Sequence, residues 1–134
     1  MKRAPEVAVI QDLSGFGRCS ATIALPVLAA MGNRCETLLT AYLSAHTAYP
    51  SSDRAVFLDL TEEMTRCSDH WLQLGASFEA IYSGFLGSER QIDVLRAFIA
   101  LIAIAVFSAL LLLLFTFSSK TSRYREDNPQ RSYR

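Results

Sequence analysis

A chain of 134 residues, 51% of them hydrophobic, has room for one ordinary domain. Its 13 basic and 13 acidic residues cancel overall, but residues 1–96 hold eight Lys/Arg against eleven Asp/Glu, and 120–134 hold five against two. A mildly acidic domain has no electrostatic footprint for nucleic acid, so no such partner is expected. Cys19, Cys35 and Cys67 are widely spaced, with no C-x-x-C and no Cys/His pair at ligand spacing, which argues against a metal site. An odd cysteine count without a signal peptide fits a reducing, cytoplasmic setting, and the thiols are read as small buried hydrophobes.

Val7 to Ile10 is a short β-branched run, the sign of a strand buried on both faces. Asp12 to Arg18 follows as a turn, where Gly15 and Gly17 permit close backbone approach to a ligand. Ser20 is placed to cap a helix over Ala21 to Met31, with Ile23, Val27 and Met31 recurring along it and Pro26 inside it. Gly32-Asn33 ends that helix. Cys35 to Leu43 reads as a second strand, Ser51 to Arg54 as a turn-like flap, and Val56 to Leu60 as a short edge strand.

Thr61-Glu62-Glu63 caps and charges a second helix running to Leu74, with Met64, Cys67, Trp71 and Leu74 on one face and Gly75 as its stop. Phe78 to Tyr82 is another strand, and Ser88 caps a further helix. Strands alternating with helices predict an α/β fold with a parallel or mixed sheet of three or four strands.

The character changes at Ala97. Residues 97–119 carry no charge and include five consecutive leucines from Leu110. At about 1.5 Å per residue, such a run matches a bilayer-spanning helix. The basic tail, 120–134, lacks apolar periodicity and reads as disordered.

Four blocks in order carry a resemblance. The stretch from Val9, Val-Ile-Gln-Asp-Leu-Ser-Gly-Phe-Gly-Arg-Cys-Ser-Ala-Thr-Ile-Ala-Leu-Pro-Val-Leu, is similar to pyridoxal/pyridoxamine kinases of the ribokinase-like superfamily. Thr40-Ala-Tyr-Leu-Ser-Ala-His-Thr, Phe57-Leu-Asp-Leu-Thr-Glu-Glu-Met and Ile81-Tyr-Ser-Gly-Phe-Leu-Gly-Ser-Glu-Arg-Gln-Ile agree with the same family. Together they cover residues 6 to about 96, about the first third of such a kinase.

The resemblance implies a ribokinase-like three-layer sandwich, here incomplete, followed by a long hydrophobic helix and a disordered tail. The domains are then 1–96, 97–119 and 120–134. It also implies ATP- and magnesium-dependent phosphorylation of the 5′-hydroxyl of a B6 vitamer (pyridoxal, pyridoxamine or pyridoxine), cytoplasmic location, and a homodimer in intact relatives. Many relatives carry a serine that contacts the pyridine ring after the first strand's glutamine. Here that position is Asp12, whose carboxylate can accept a hydrogen bond from the ring nitrogen or phenol. Thr47 is expected near the vitamer and Phe85 against its ring, with Gly15, Gly17 and His46 in a supporting loop.

The family's Asp-Pro-Val-x-Gly-Asp block for magnesium and phosphate, and its later Gly-x-Gly-Asp loop with the catalytic aspartate, do not occur in this sequence. No catalytic residue is therefore assigned. The expectation is a kinase portion inactive alone, joined to a foreign tail by a frameshift or rearrangement near residue 100. The alternatives are a catalytically dead fragment inserted in a membrane through 97–119, and vitamer binding without chemistry through Asp12, Thr47 and Phe85. The five basic residues after the apolar run would hold the tail in the cytosol, which would carry the amino-terminal domain across the membrane.

Overall fold

The structure, a computed structural model, describes residues 3–104 and 107–108. A compact unit spans Met1–Ile99. It is built on a four-stranded mixed sheet in the order β3-β2-β1-β4. The strands are β1 (Glu6–Ser14), β2 (Arg34–Leu43), β3 (Phe57–Asp59) and β4 (Ala80–Ser83). β1 lies parallel to both β2 and β4, and β3 closes one edge antiparallel to β2. The helices are α1 (Ala21–Ala30), α2 (Thr61–Gln73) and α3, over 89–104.

β1 is the central strand because its sequence has no side that tolerates water. Val7, Ala8, Val9 and Ile10 are all buried, as the β-branched run predicts for a strand covered on both faces. It runs four residues beyond that prediction, through Gln11, Asp12, Leu13 and Ser14. Polar side chains replace the apolar run there without ending the strand, because the backbone ladder to β2 continues to Ser14↔Leu43. The ladder slips once on the way. Gln11 pairs with Leu39, but Leu13 pairs with Tyr42, so β2 carries one extra residue opposite Asp12.

At the other end of the sheet, the buried carboxylate of Glu6 is held by Arg3 and by Arg34 at 3.1 Å. Beneath the sheet's β2 side, Trp71 of α2, Phe78 and Phe98 of α3 form a three-ring cluster with centroids 5.6 to 6.1 Å apart. Tilted contacts at such distances suit the ring quadrupoles.

Several local expectations are corrected. Ser20 does not cap α1 through its side chain; it sits at φ 48° and offers only its carbonyl, to Ala24 N at 2.9 Å. Thr22 and Cys19 tie that helix start instead, through Thr22 Oγ1 donating to Cys19 O at 2.8 Å. α2 is capped from Asp59, whose Oδ1 accepts from Thr61 N at 2.8 Å. Its inward face is Thr61, Met64 and Ser68, with Trp71 half-buried, while Cys67 and Leu74 point to solvent. Asp59 completes the helix start from the strand end, and this sets α2's rotation. Ser88 Oγ is buried with no partner among the described residues, rather than capping α3. The cysteines are free; Cys19 and Cys35 are half-buried and Cys67 is exposed, so none is a fully buried hydrophobe. α1 leaves Ile23, Val27 and Met31 exposed, with Val27 at 54%.

Most of the apolar run 97–119 and all of the tail 120–134 lie outside the described residues, and with them the expected membrane insertion and disorder. Among the described residues no helix is long and apolar enough to cross a membrane.

Candidate functional site

The carboxyl ends of β1, β2 and β4 meet around one cavity of about 130 Å³. Open α/β sheets bind ligands at this end because parallel strands bring their loops together there. β1 contributes Asp12 and Ser14, which alternate to the same side of the strand. Leu43, His46 and Thr47 come from the end of β2 and the loop after it. Phe85 comes from the loop after β4, and Ser20 from the turn before α1.

The cavity thus gathers Asp12, His46, Thr47 and Phe85 from the sequence-derived site. Gly15 and Gly17 do not line it. They let two loops pack where a side chain would intrude. A Cβ on Gly17, at φ +91°, would meet the Tyr49 ring at 2.9 Å and His46 Cβ at 3.0 Å. Phe16 and Tyr49 stack edge to face across the same junction at 5.1 Å. The loop pair is stitched by Gly15 N to Leu43 O at 2.8 Å, Phe16 N to Ser44 O at 3.0 Å and His46 N to Phe16 O at 2.8 Å. His46 Nδ1 accepts from Ala48 N at 3.2 Å.

Sequence reasoning missed Ser14, Ser20 and Leu43. Ser14 was detectable once β1 is allowed to continue, since it stands two residues past Asp12. Ser20 was assigned to a helix cap, a role its positive φ rules out.

Asp12 is 4% exposed. Its Oδ2 accepts from Ser14 Oγ at 3.3 Å, a long bond, and its Oδ1 is buried with no partner among the described residues. Buried polar atoms are almost always satisfied, so an orphaned carboxylate oxygen beside a cavity marks a place for a donor.

Phe85 is held from behind. Buried Thr40 donates from Oγ1 to Phe85 O at 2.9 Å, and Gly84 N bonds Ile10 O at 2.9 Å. Gly84 crosses directly over Gln11; a Cβ there would fall 2.1 Å from Gln11 Oε1. Fully buried Gln91 locks this corner. Its Nε2 reaches Thr40 O at 2.8 Å, Thr61 Oγ1 at 3.0 Å and Asp59 Oδ1 at 3.2 Å. Its Oε1 accepts from Gly87 N at 2.8 Å. The side-chain and backbone hydrogen bonds from Thr61 to Asp59, with a smaller contribution from Gln91, hold the Asp59 carboxyl below its ordinary value.

Among the described residues no group of three or more His, Cys, Asp or Glu side chains could hold a metal ion.

No family model matches this sequence, and no curated protein matches it. Solved structures do. A Bacteroides thetaiotaomicron protein described as a phosphomethylpyrimidine kinase is 44% identical over 74% of this chain and 33% of its own, with a TM-score of 0.69. A second crystal form of that description, containing pyridoxal, is 45% identical over 73% of this chain, also at 0.69. Pyridoxal kinase from Lactobacillus plantarum is 28% identical over 72% of this chain and 34% of its own, with a TM-score of 0.66. Pyridoxal kinase from Leishmania donovani, in complex with ADP and pyridoxamine, shares the fold at 20% identity and a TM-score of 0.71. The fold is therefore that of the vitamin kinases of the ribokinase-like class. Within that class the chain resembles the amino-terminal portion of pyridoxal and phosphomethylpyrimidine kinases. It spans about a third of the length of the solved structures it matches.

Proposed function

We propose that this chain forms the vitamer-binding side of a B6-vitamer kinase site. In this reading Phe85 packs on the pyridine ring, Thr47 and Asp12 hydrogen-bond its polar substituents, and His46 with the Gly15–Gly17 turn holds the loop. The observation that carries it is the convergence of Asp12, His46, Thr47 and Phe85 on one cavity, from three separate sequence blocks. The pyridoxal in the Bacteroides crystal form supports the ligand class.

ATP-dependent transfer to the 5′-hydroxyl needs charge neutralisation at the moving phosphoryl group. The 134-residue sequence contains neither the Asp-Pro-Val-x-Gly-Asp nor the Gly-x-Gly-Asp block that supplies it in the family. Binding without turnover is thus the expected behaviour of this chain by itself. A phosphomethylpyrimidine is the second reading, favoured by the description of the 44% identical relative.

The test is calorimetric titration of the purified chain with pyridoxal, repeated with a hydroxymethylpyrimidine. Binding of pyridoxal alone supports the first reading, and binding of the pyrimidine alone supports the second. An assay for pyridoxal phosphate with ATP and magnesium is expected to read zero, and turnover would overturn the assignment of binding without chemistry.

A further inference from the structure

We propose that the outer face of α1 is the contact surface of a weak, symmetric dimer of this chain. The ridge Ile23, Val27 and Met31 of one copy packs on the same ridge of a second copy, and each copy's α1 covers the groove beside the other's β4. The proposal concerns a different surface from the vitamer cavity and stands whether or not the reading of that cavity holds.

The contrast between α1 and α2 leads there. α2 buries Met64 and Ser68 and turns Glu62, Glu63, Arg66, Asp69 and His70 to water. α1, Ala-Thr-Ile-Ala-Leu-Pro-Val-Leu-Ala-Ala, has Thr22 as its sole polar side chain, with no acidic residue in its first turn and no basic one in its last. A helix that is apolar all round belongs in a place where every side is covered. Here only Ala21 is buried. β1 and β2 cover one side of the helix. On its open side a groove of about 510 Å³ is lined by Ile23, Val27, Leu28 and Met31 of the helix and its end, and by Gln11 and Tyr82 of the sheet.

Charge and spacing favour a second copy as the occupant. No charged residue lines the groove. A twofold contact sets residues near the axis against their own twins, so any charge there would repel itself; this face has none to repel. An anionic lipid surface is matched by Lys or Arg along the polar side of a helix, and α1 has neither. An unlike protein is ordinarily selected by complementary charge, which this face does not offer. Ile23, Val27 and Met31 stand four residues apart and form one ridge, and two such ridges interdigitate in the commonest helix pairing, crossed at about −50°. A ten-residue helix is about 15 Å long. Two of them cover less than the about 800 Å² per partner of a standard interface, so the dimer comes apart on dilution.

The experiment is sedimentation velocity on the full 134-residue chain over a dilution series, with Val27→Lys and Val27→Glu measured singly and then mixed. Wild type is expected to shift from dimer to monomer on dilution. Each variant alone should raise the dissociation constant about tenfold or more, because like charges then meet across the axis. The equimolar mixture should recover the dimer, since Lys of one copy now faces Glu of the other, and that recovery shows that both variants fold. Leu58→Lys, on the exposed β3 edge, should dimerise as wild type does. A wild type that stays monomeric at every concentration overturns the proposal, whether α1 is then open or covered by another segment of the same chain. Assembly that survives both Val27 substitutions, or that Leu58→Lys abolishes, overturns it by placing the contact elsewhere. Failure of the mixture to recover the dimer overturns the twofold pairing.

Discussion

The two flanks of the sheet are finished to different degrees. On the β3 side, every polar group of Gln91 has a partner, Thr40 reaches across to Phe85, and Asp59 caps α2 from the edge strand. On the β4 side, the edge strand ends the sheet with Tyr82 48% exposed, and α1 turns Ile23, Val27 and Met31 outward beside it. The closed flank holds the ring-facing wall of the cavity in place through directional bonds. The open flank contributes β1's neighbour and two pocket residues, Ser20 and, from the loop after β4, Phe85, but encloses little. Rigidity at the site therefore comes from one side of the sheet.

That contrast can be broken first at Gln91. Gln91→Leu strips four hydrogen bonds at once and leaves Gly87 N without its side-chain partner, while Thr40 O keeps only its bond from Leu60 N at 3.1 Å. It should cost about 3 kcal/mol, read from the urea midpoint. Gly17→Ala forces a side chain into a φ of +91° and against Tyr49, and should cost about 1 to 2 kcal/mol by the same measurement. Thr40→Val keeps the shape but drops the bond to Phe85 O. A loss of about 1 kcal/mol is expected, with a Kd for pyridoxal raised several-fold in calorimetry as the Phe85 loop slackens.

Acid sharpens the same corner. The Asp59 carboxyl lies below its ordinary value of 3.8 in the folded chain, so its contribution is full above that pH. It is lost as pH falls through the depressed folded value. Asp59→Asn should therefore flatten the acid limb of a stability–pH curve, by a small amount because the group is exposed. The open flank should respond least. Val27→Lys should move the urea midpoint by no more than about 0.5 kcal/mol, while lowering self-association in light scattering. A large destabilisation there would show that this face is covered in solution.

The sequence carried the α/β alternation, the edge position of β3 and the parallel pairing expected of crossover units, because hydrophobic period and glycine placement are local signals. Asp12, His46, Thr47 and Phe85 were legible through four ordered blocks, and the cavity unites them. Ser14 was hidden because a strand's end is written in its ladder rather than in its own polarity. The face of α2 was misread for a related reason: Cys67 and Leu74 fit the apolar spacing, yet the Asp59–Thr61 cap and Met64 set which side turns inward. Gln91 looks like any polar helix residue, and its four partners, from Thr40 to Gly87, are separated from it by up to 51 positions.

The single surplus residue in β2 opposite Asp12 governs phase. Side chains alternate along a strand, so one residue more or less exchanges its two faces from that point onward. Leu43 and the loop bearing His46 and Thr47 reach the cavity only with the slip in place. Substitutions at positions 40–41 leave that parity intact, whereas deletion of either residue would turn Leu43 and its loop away from Asp12 and Phe85. Length, more than composition, is what this strand has to conserve for the pocket to exist.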